Sequence, residues 1–149
     1  MQNLYQSEAK AEILKRIENL RPDAPKQWGK MNVAQMMAHC SAALEVAAGQ
    51  KNIPRVFIGR ILGPLFKPNF TNDKPFGKGG PTAPQFVITD QRDFAKEKAR
   101  LTSLVKQFAE GGEAKCTTEP HAFFGKLRPE EWGIGMYKHT DHHLRQFGA

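Results

Sequence analysis

The sequence predicts an all-α fold: a four-helix bundle with one long connection between its second and third helices. Three observations predict it. Four segments repeat apolar residues at helical spacing, and each is bounded by cap, glycine or proline signals. The single stretch with extended character, Gln85 to Thr89, has no second strand candidate to pair with, so a sheet is not expected. The chain of 149 residues, 40% hydrophobic and 25% charged, fits one domain spanning 1–149, long enough to bury about 68–70% of its unfolded surface without crosslinks.

Helix 1 is expected from about Leu4 to Leu20, with Ile13, Leu14, Ile17 and Leu20 on one face and Glu12 and Arg16 paired on the exposed side. Arg21-Pro22 and Pro25 end it, because proline lacks a donor and biases its predecessor away from helical torsions. Trp28 and Met31 then fall where they can pack on the first turns of helix 2. That helix opens with Asn32 and Gln35 in the arrangement of a capping box. Val33, Met36, Met37, Cys40, Ala43, Leu44 and Ala47 form its apolar stripe, and Gly49 is its stop. His39 lies on the border of that stripe.

The next forty residues are rich in glycine and proline and read as an irregular loop, with room for a short helix within Val56 to Phe66. A connection of this length is either functional or a crossover that lets neighbouring helices run parallel. Asp90 is the expected N-cap of helix 3, whose stripe is Phe94, Leu101, Leu104, Val105 and Phe108, and Gly111-Gly112 ends it. The aromatics of His121-Ala-Phe-Phe-Gly125 are expected to cover one end of the core. Pro129, with Glu130 and Glu131 in the first turn, opens helix 4, which runs to Phe147 before Gly148.

Composition narrows the function classes. The apolar run Val56 to Phe66 is broken by Arg60, two glycines and a proline and falls short of the roughly 20 residues that a bilayer span needs, so no membrane partner is expected. No basic and then apolar leader opens the chain, which favours the cytoplasm. Cys40 and Cys116 make no CxxC motif and are expected to be reduced. The formal net charge is +7, with six basic residues against Asp73 alone between Gln50 and Thr89. Such a segment can attract nucleic acid, an anionic surface or a small carboxylate-bearing ligand. Nucleic acid is disfavoured, because no aromatic stacking pattern is interleaved and no DNA-binding motif is present.

Three of the five histidines stand in helix 4. At 100° per residue, Trp132, Met136, His139, His143, Gln146 and Phe147 share roughly a third of the circumference, and Lys138, Asp141 and Arg145 take the opposite side. His139 and His143 therefore point inward, one turn apart. Such a pair is either a buried hydrogen-bonded pair or two thirds of a metal site, and His39 can supply the third ligand from a facing helix. Three imidazoles with an open position suit a catalytic zinc or nickel ion. Gln146 can orient a ligand histidine or close the helix end, and His142 falls on the flank. H-E-x-x-H, Glu-x-x-His, Walker, G-x-S-x-G and dinucleotide motifs are all missing, so the candidate site is mononuclear.

Trp28-Gly-Lys-Met-Asn-Val-Ala-Gln-Met-Met-Ala-His39-Cys, His121-Ala-Phe-Phe-Gly-Lys-Leu and Glu131-Trp-Gly through His139-x-x-His142-His143-Leu-Arg-Gln-Phe-Gly together resemble the DinB/YfiT-like metalloenzyme superfamily. More narrowly, they resemble a branch of it known only as a domain of unknown function. The resemblance implies a four-helix bundle, often dimeric, with a divalent ion held at the positions of His39, His139 and His143. Some relatives are thiol-dependent transferases or isomerases, so the resemblance implies a low-molecular-weight thiol as cosubstrate and names no substrate. A metal-dependent transferase or hydrolase acting on a small-molecule substrate is the expected activity. No catalytic residue beyond the ligands follows from it. A noncatalytic metal-binding or stress-related interaction domain, whose histidines only pin helices together, stays the alternative.

Overall fold

In a computed structural model describing residues 1–149, the chain is all-helical, with five α-helices and no strands. These are α1 (Ser7–Glu18), α2 (Val33–Ala47), α3 (Phe57–Thr71), α4 (Phe94–Gly111) and α5 (Pro129–Gln146), with single 3₁₀ turns at Pro84–Phe86 and Glu113–Lys115. Helices α1 and α2 each pack on both α4 and α5, while α3 lies on α5. Leu4, Ile13, Ile17, Met36, Met37, Leu44, Leu101, Val105, Trp132 and Leu144 fill the core between them. Each of these side chains contributes about 1.5–3 kcal/mol when fully buried.

The caps explain most of the boundaries. Asn32 accepts from the Gln35 amide while Gln35 Oε1 accepts from the Asn32 amide, both at 2.9 Å, so α2 starts on a closed capping box. At its end Gly49 takes φ +71°, and the amides of Gly49 and Gln50 return to the carbonyls of Val46 and Glu45. For α4 the cap is Asp93, whose carboxylate accepts from the Lys96 amide at 2.8 Å. Asp90, the N-cap expected from sequence, instead pairs with Arg92 at 2.9 Å. Both positions carry the favoured residue type, and Phe94 rather than Gln91 begins the turns that the core accepts.

Helix α3 is longer than the short helix expected, and it runs through Pro64 and Pro68. Both prolines lie exposed, so the carbonyls they deprive of donors, on Arg60 and Pro64, open toward water. Its inner side carries Gly59, Gly63 and Phe70. Phe70 covers Gly135 of α5 so closely that a Cβ on that glycine would overlap its ring.

Helix α5 differs from the amphipathic expectation on its far side. Lys138 and Asp141 are buried rather than solvated. Lys138 Nζ donates to the Asn69 carbonyl at 2.7 Å and to Asn72 Oδ1 at 2.9 Å, both at the end of α3. Asp141 accepts from Arg16 of α1 at 2.7 Å. The face that reads as solvent-exposed is covered by α1 and α3, with each charge met by a partner on the covering element. The sequence pair Glu12 and Arg16 is present at 3.1 Å, but Arg16 is shared with Asp141 and with the Ala149 carbonyl.

Candidate metal centre

Helix α2 carries His39 two turns after its capping box, and α5 carries His139 and His143 on the face packed against α2. The helix pair brings the three rings together. His39 and His139 approach to 3.0 Å between their Nε2 atoms. The ring centroids stand 4.9 Å (His39–His139), 4.6 Å (His39–His143) and 4.8 Å (His139–His143) apart. One ring nitrogen from each residue lies within 4.8 Å of the others. His39 is buried and the other two are partly so.

Outer hydrogen bonds fix two of the three tautomers. The Phe86 carbonyl can only accept, so His39 Nδ1 is the donor at 2.8 Å and its Nε2 carries a lone pair. Gln146 Nε2 donates to the Trp28 carbonyl at 2.7 Å, which leaves Gln146 Oε1 to accept from His143 Nδ1 at 2.9 Å. His143 Nε2 is thereby also a lone pair. His139 has no such partner: its Nδ1 is buried without a hydrogen bond. If His139 donates from Nε2 to His39, a bare Nδ1 stays buried; if it is protonated on Nδ1, two lone pairs face each other at 3.0 Å. Either state is costly without a cation among the rings.

Burial holds all three imidazoles neutral at pH 7. It lowers the pKa of His39, against the raising effect of the Phe86 hydrogen bond. Burial first, and then the neighbouring histidines, put His139 well below the ordinary value. For His143, burial and the nearby His39 bring it to about 3. Neutral imidazole is the ligand form, so protons do not compete for these nitrogens near neutrality.

Around the triad, the connections supply aromatic walls. His142 lies between Trp28 at 5.3 Å and Phe76 at 5.9 Å, with His143 at 5.0 Å, so it lines the flank of the cluster. Phe86 sits edge-on to His39 at 6.2 Å. His121 packs on Phe70, Phe124 and Trp132, and its Nδ1 accepts from the amides of Phe123 at 3.1 Å and Phe124 at 3.2 Å. Burial and Arg55 lower its pKa to about 4. This tight turn, closed by mutual amide-to-carbonyl bonds of His121 and Gly125, puts Phe124 against the core.

All of the candidate residues read from sequence, His39, His139, His143, Gln146 and His142, therefore lie in one cluster. Sequence reasoning did not find the carbonyls of Phe86 and Trp28, since a backbone acceptor leaves no residue-type signal. It also did not find Phe76 and Phe86 as walls. Aromatics standing in a proline- and glycine-rich stretch were the available hint, since a solvated loop has no use for them.

A family described as a protein of unknown function, DUF1569, matches residues 2–149. No curated protein and no solved structure matches the chain.

Proposed function

The chain belongs to the DUF1569 family, whose description names no activity, and from the geometry we propose that it is a metal-dependent enzyme with a mononuclear three-histidine site. The observation that carries this reading is the meeting of His39, His139 and His143, whose ring nitrogens lie within 4.8 Å of one another, with Nε2 of both His39 and His143 left as a lone pair by the outer hydrogen bonds. His139 can donate to only one of these lone pairs and then leaves its own Nδ1 buried without a partner, whereas a cation can be bound by all three rings, and burial disfavours the proton. The donor set fits a divalent ion, zinc or nickel, and three protein ligands leave one position open. An ion held there supplies Lewis-acid chemistry, polarising a substrate or lowering the pKa of a water or thiol.

The chain's own residues do the rest. Phe86 and Gln146 hold His39 and His143 in the ligating tautomer, and Trp28 holds Gln146. Trp28, Phe76 and Phe86 limit water around the cluster. In this reading α1, α2, α4 and α5 form a bundle of the DinB/YfiT type, with α3 inserted in its long connection. A low-molecular-weight thiol and an electrophile are the substrates that the resemblance favours.

A second reading is favoured by the direct 3.0 Å contact of His39 with His139, which can act as a pin between α2 and α5 in a noncatalytic domain. X-ray absorption of zinc- or nickel-loaded protein, prepared without a histidine tag, separates the two. Three imidazoles plus an exchangeable oxygen or sulfur scatterer support the enzyme, whereas a shell closed by protein atoms contradicts it. A screen of small thiols against electrophiles then distinguishes a transferase from a hydrolase.

A further inference from the structure

The outward face of α3 has no partner in the fold. Five of the seven large hydrophobic side chains that stand exposed belong to this one helix: Phe57 (77% exposed), Ile58 (53%), Ile61 (61%), Leu65 (72%) and Phe66 (41%). At 100° per residue, Phe57, Ile58, Ile61 and Leu65 fall within an arc of about 100°. The opposite side, facing the protein, holds Gly59, Gly63 and Phe70. A helix stabilised by its own core would turn leucine and isoleucine inward, and this one turns its glycines inward.

The orientation cannot be relieved by rolling the helix. Gly59 and Gly63 lie directly on the backbone of Phe123, where a Cβ on either would overlap its carbonyl oxygen. Any larger residue brought to that contact would push α3 off the turn at 121–125. The exposure of the apolar arc is therefore fixed by how α3 docks.

Charge decides what the arc fits. The fifteen residues of α3 include Arg60 and Lys67 and no carboxylate. Lys67 is occupied, pairing with Glu131 at 2.8 Å and donating to the Lys126 carbonyl at 3.0 Å. That second bond sets Lys126 beside the helix. Arg60 and Lys126 are both exposed. If α3 of a second copy met this face about a two-fold axis, that helix would bring no carboxylate to these cations, and the nearest one in sequence, Asp73, lies beyond its C-terminal end. An anionic bilayer offers both an apolar layer and negative headgroups. No helix is long and apolar enough to cross a membrane, so the contact lies in the interface plane, as for amphipathic helices whose apolar face enters about 5–10 Å.

We propose that α3 docks the protein on an anionic phospholipid surface, with Phe57, Ile58, Ile61 and Leu65 below the headgroups and Arg60 and Lys126 among the phosphates. The docking is independent of the histidine cluster and does not require a metal ion. The test is sedimentation of the tag-free protein with vesicles of phosphatidylcholine alone and of phosphatidylcholine with about 30% phosphatidylglycerol. The protein pellets with the anionic vesicles, is released by salt, and stays in solution with the neutral ones. Leu65→Glu and Ile61→Ser, at exposed positions, each lower the partition at least about tenfold while the circular dichroism stays unchanged. Light scattering without vesicles gives the same oligomeric state for the wild type and Leu65→Glu. Failure to pellet, equal pelleting with both vesicles, unaltered pelleting of both variants, or a dimer split by Leu65→Glu would each overturn the proposal.

Discussion

The Nε2 atoms of His39 and His139 meet at 3.0 Å, and His39 cannot turn aside because its Nδ1–H is held by the Phe86 carbonyl. A divalent ion bound by both rings converts an unfavourable meeting into coordination, so binding stabilises the fold. At free zinc about a hundred times its Kd, the gain is about 2.7 kcal/mol. Thermal unfolding of tag-free protein should shift upward with zinc, and His39→Ala should abolish the shift. An equal shift in His39→Ala would contradict ligation by that residue.

Gln146 links the Trp28 carbonyl to His143. Replacing it in Gln146→Leu frees the His143 ring to rotate and to change tautomer. Metal affinity should fall about 10–100-fold by chelator competition. Gln146→Glu keeps the acceptor for His143 but loses the donor to Trp28, and it should retain more affinity than the leucine variant.

The buried histidines set the acid stability of the metal-free protein. His121, whose pKa falls from the ordinary 6.5 to about 4, is neutral in both states above pH 6.5. Between pH 6.5 and about 4 the unfolded chain takes up a proton that the folded chain refuses, so stability is lost as the pH falls through this window. His39, His139 and His143 shift in the same direction. Glu45 and Glu131, held below the ordinary carboxylate value, contribute their loss only below about pH 4.5. The urea midpoint should therefore decline from pH 6.5 downward, with a shallower slope in His121→Asn. A midpoint that is flat from pH 6.5 to 4.5 would show the histidines to be solvated.

Close approach of α3 rests on missing side chains. Gly63→Ala puts a methyl group into the Phe123 carbonyl, and Gly135→Ala puts one into the Phe70 ring. Each should cost about 1–3 kcal/mol in urea unfolding. The cost at Gly63 should be the greater, because a backbone atom yields less than a side chain.

The start of α4 is tested by a pair of variants. Asp93→Ala removes the acceptor for the Lys96 amide and should cost about 1 kcal/mol. Asp90→Ala removes a surface ion pair with Arg92 and should cost less than about 0.5 kcal/mol. The reverse ranking would place the helix start one turn earlier.

These cases also mark what sequence conveys. Helices α1 and α4 were legible because each buries one stripe and the 3.6-residue period records which positions face the core, while α2 and α5, buried on more than one side, still carry that period and clear start signals. His39, His139 and His143 were legible by the same geometry, since helix phase places inward histidines without knowledge of the partner helix. The period failed where burial is not one-sided. On α5, Lys138 and Asp141 look like a solvent face but meet Asn69, Asn72 and Arg16, and such pairing depends on tertiary neighbours that no local pattern encodes. On α3 the pattern is inverted, glycines inward and apolar residues outward, and two prolines that ordinarily end a helix fall on its solvent side. The choice between Asp90 and Asp93 was open because both satisfy the same capping chemistry, and the packing of Phe94 against the core decides between them.

Metal content of the protein purified without a histidine tag tests the central claim most directly. After supplementation with zinc or nickel, mass spectrometry should find about one equivalent in the wild type, the load that three ring nitrogens within 4.8 Å of one another can hold. His139→Ala should lose it while keeping its helical circular dichroism. A wild type holding less than about 0.2 equivalents, or a His139→Ala variant that binds as much as the wild type, would contradict the three-histidine centre.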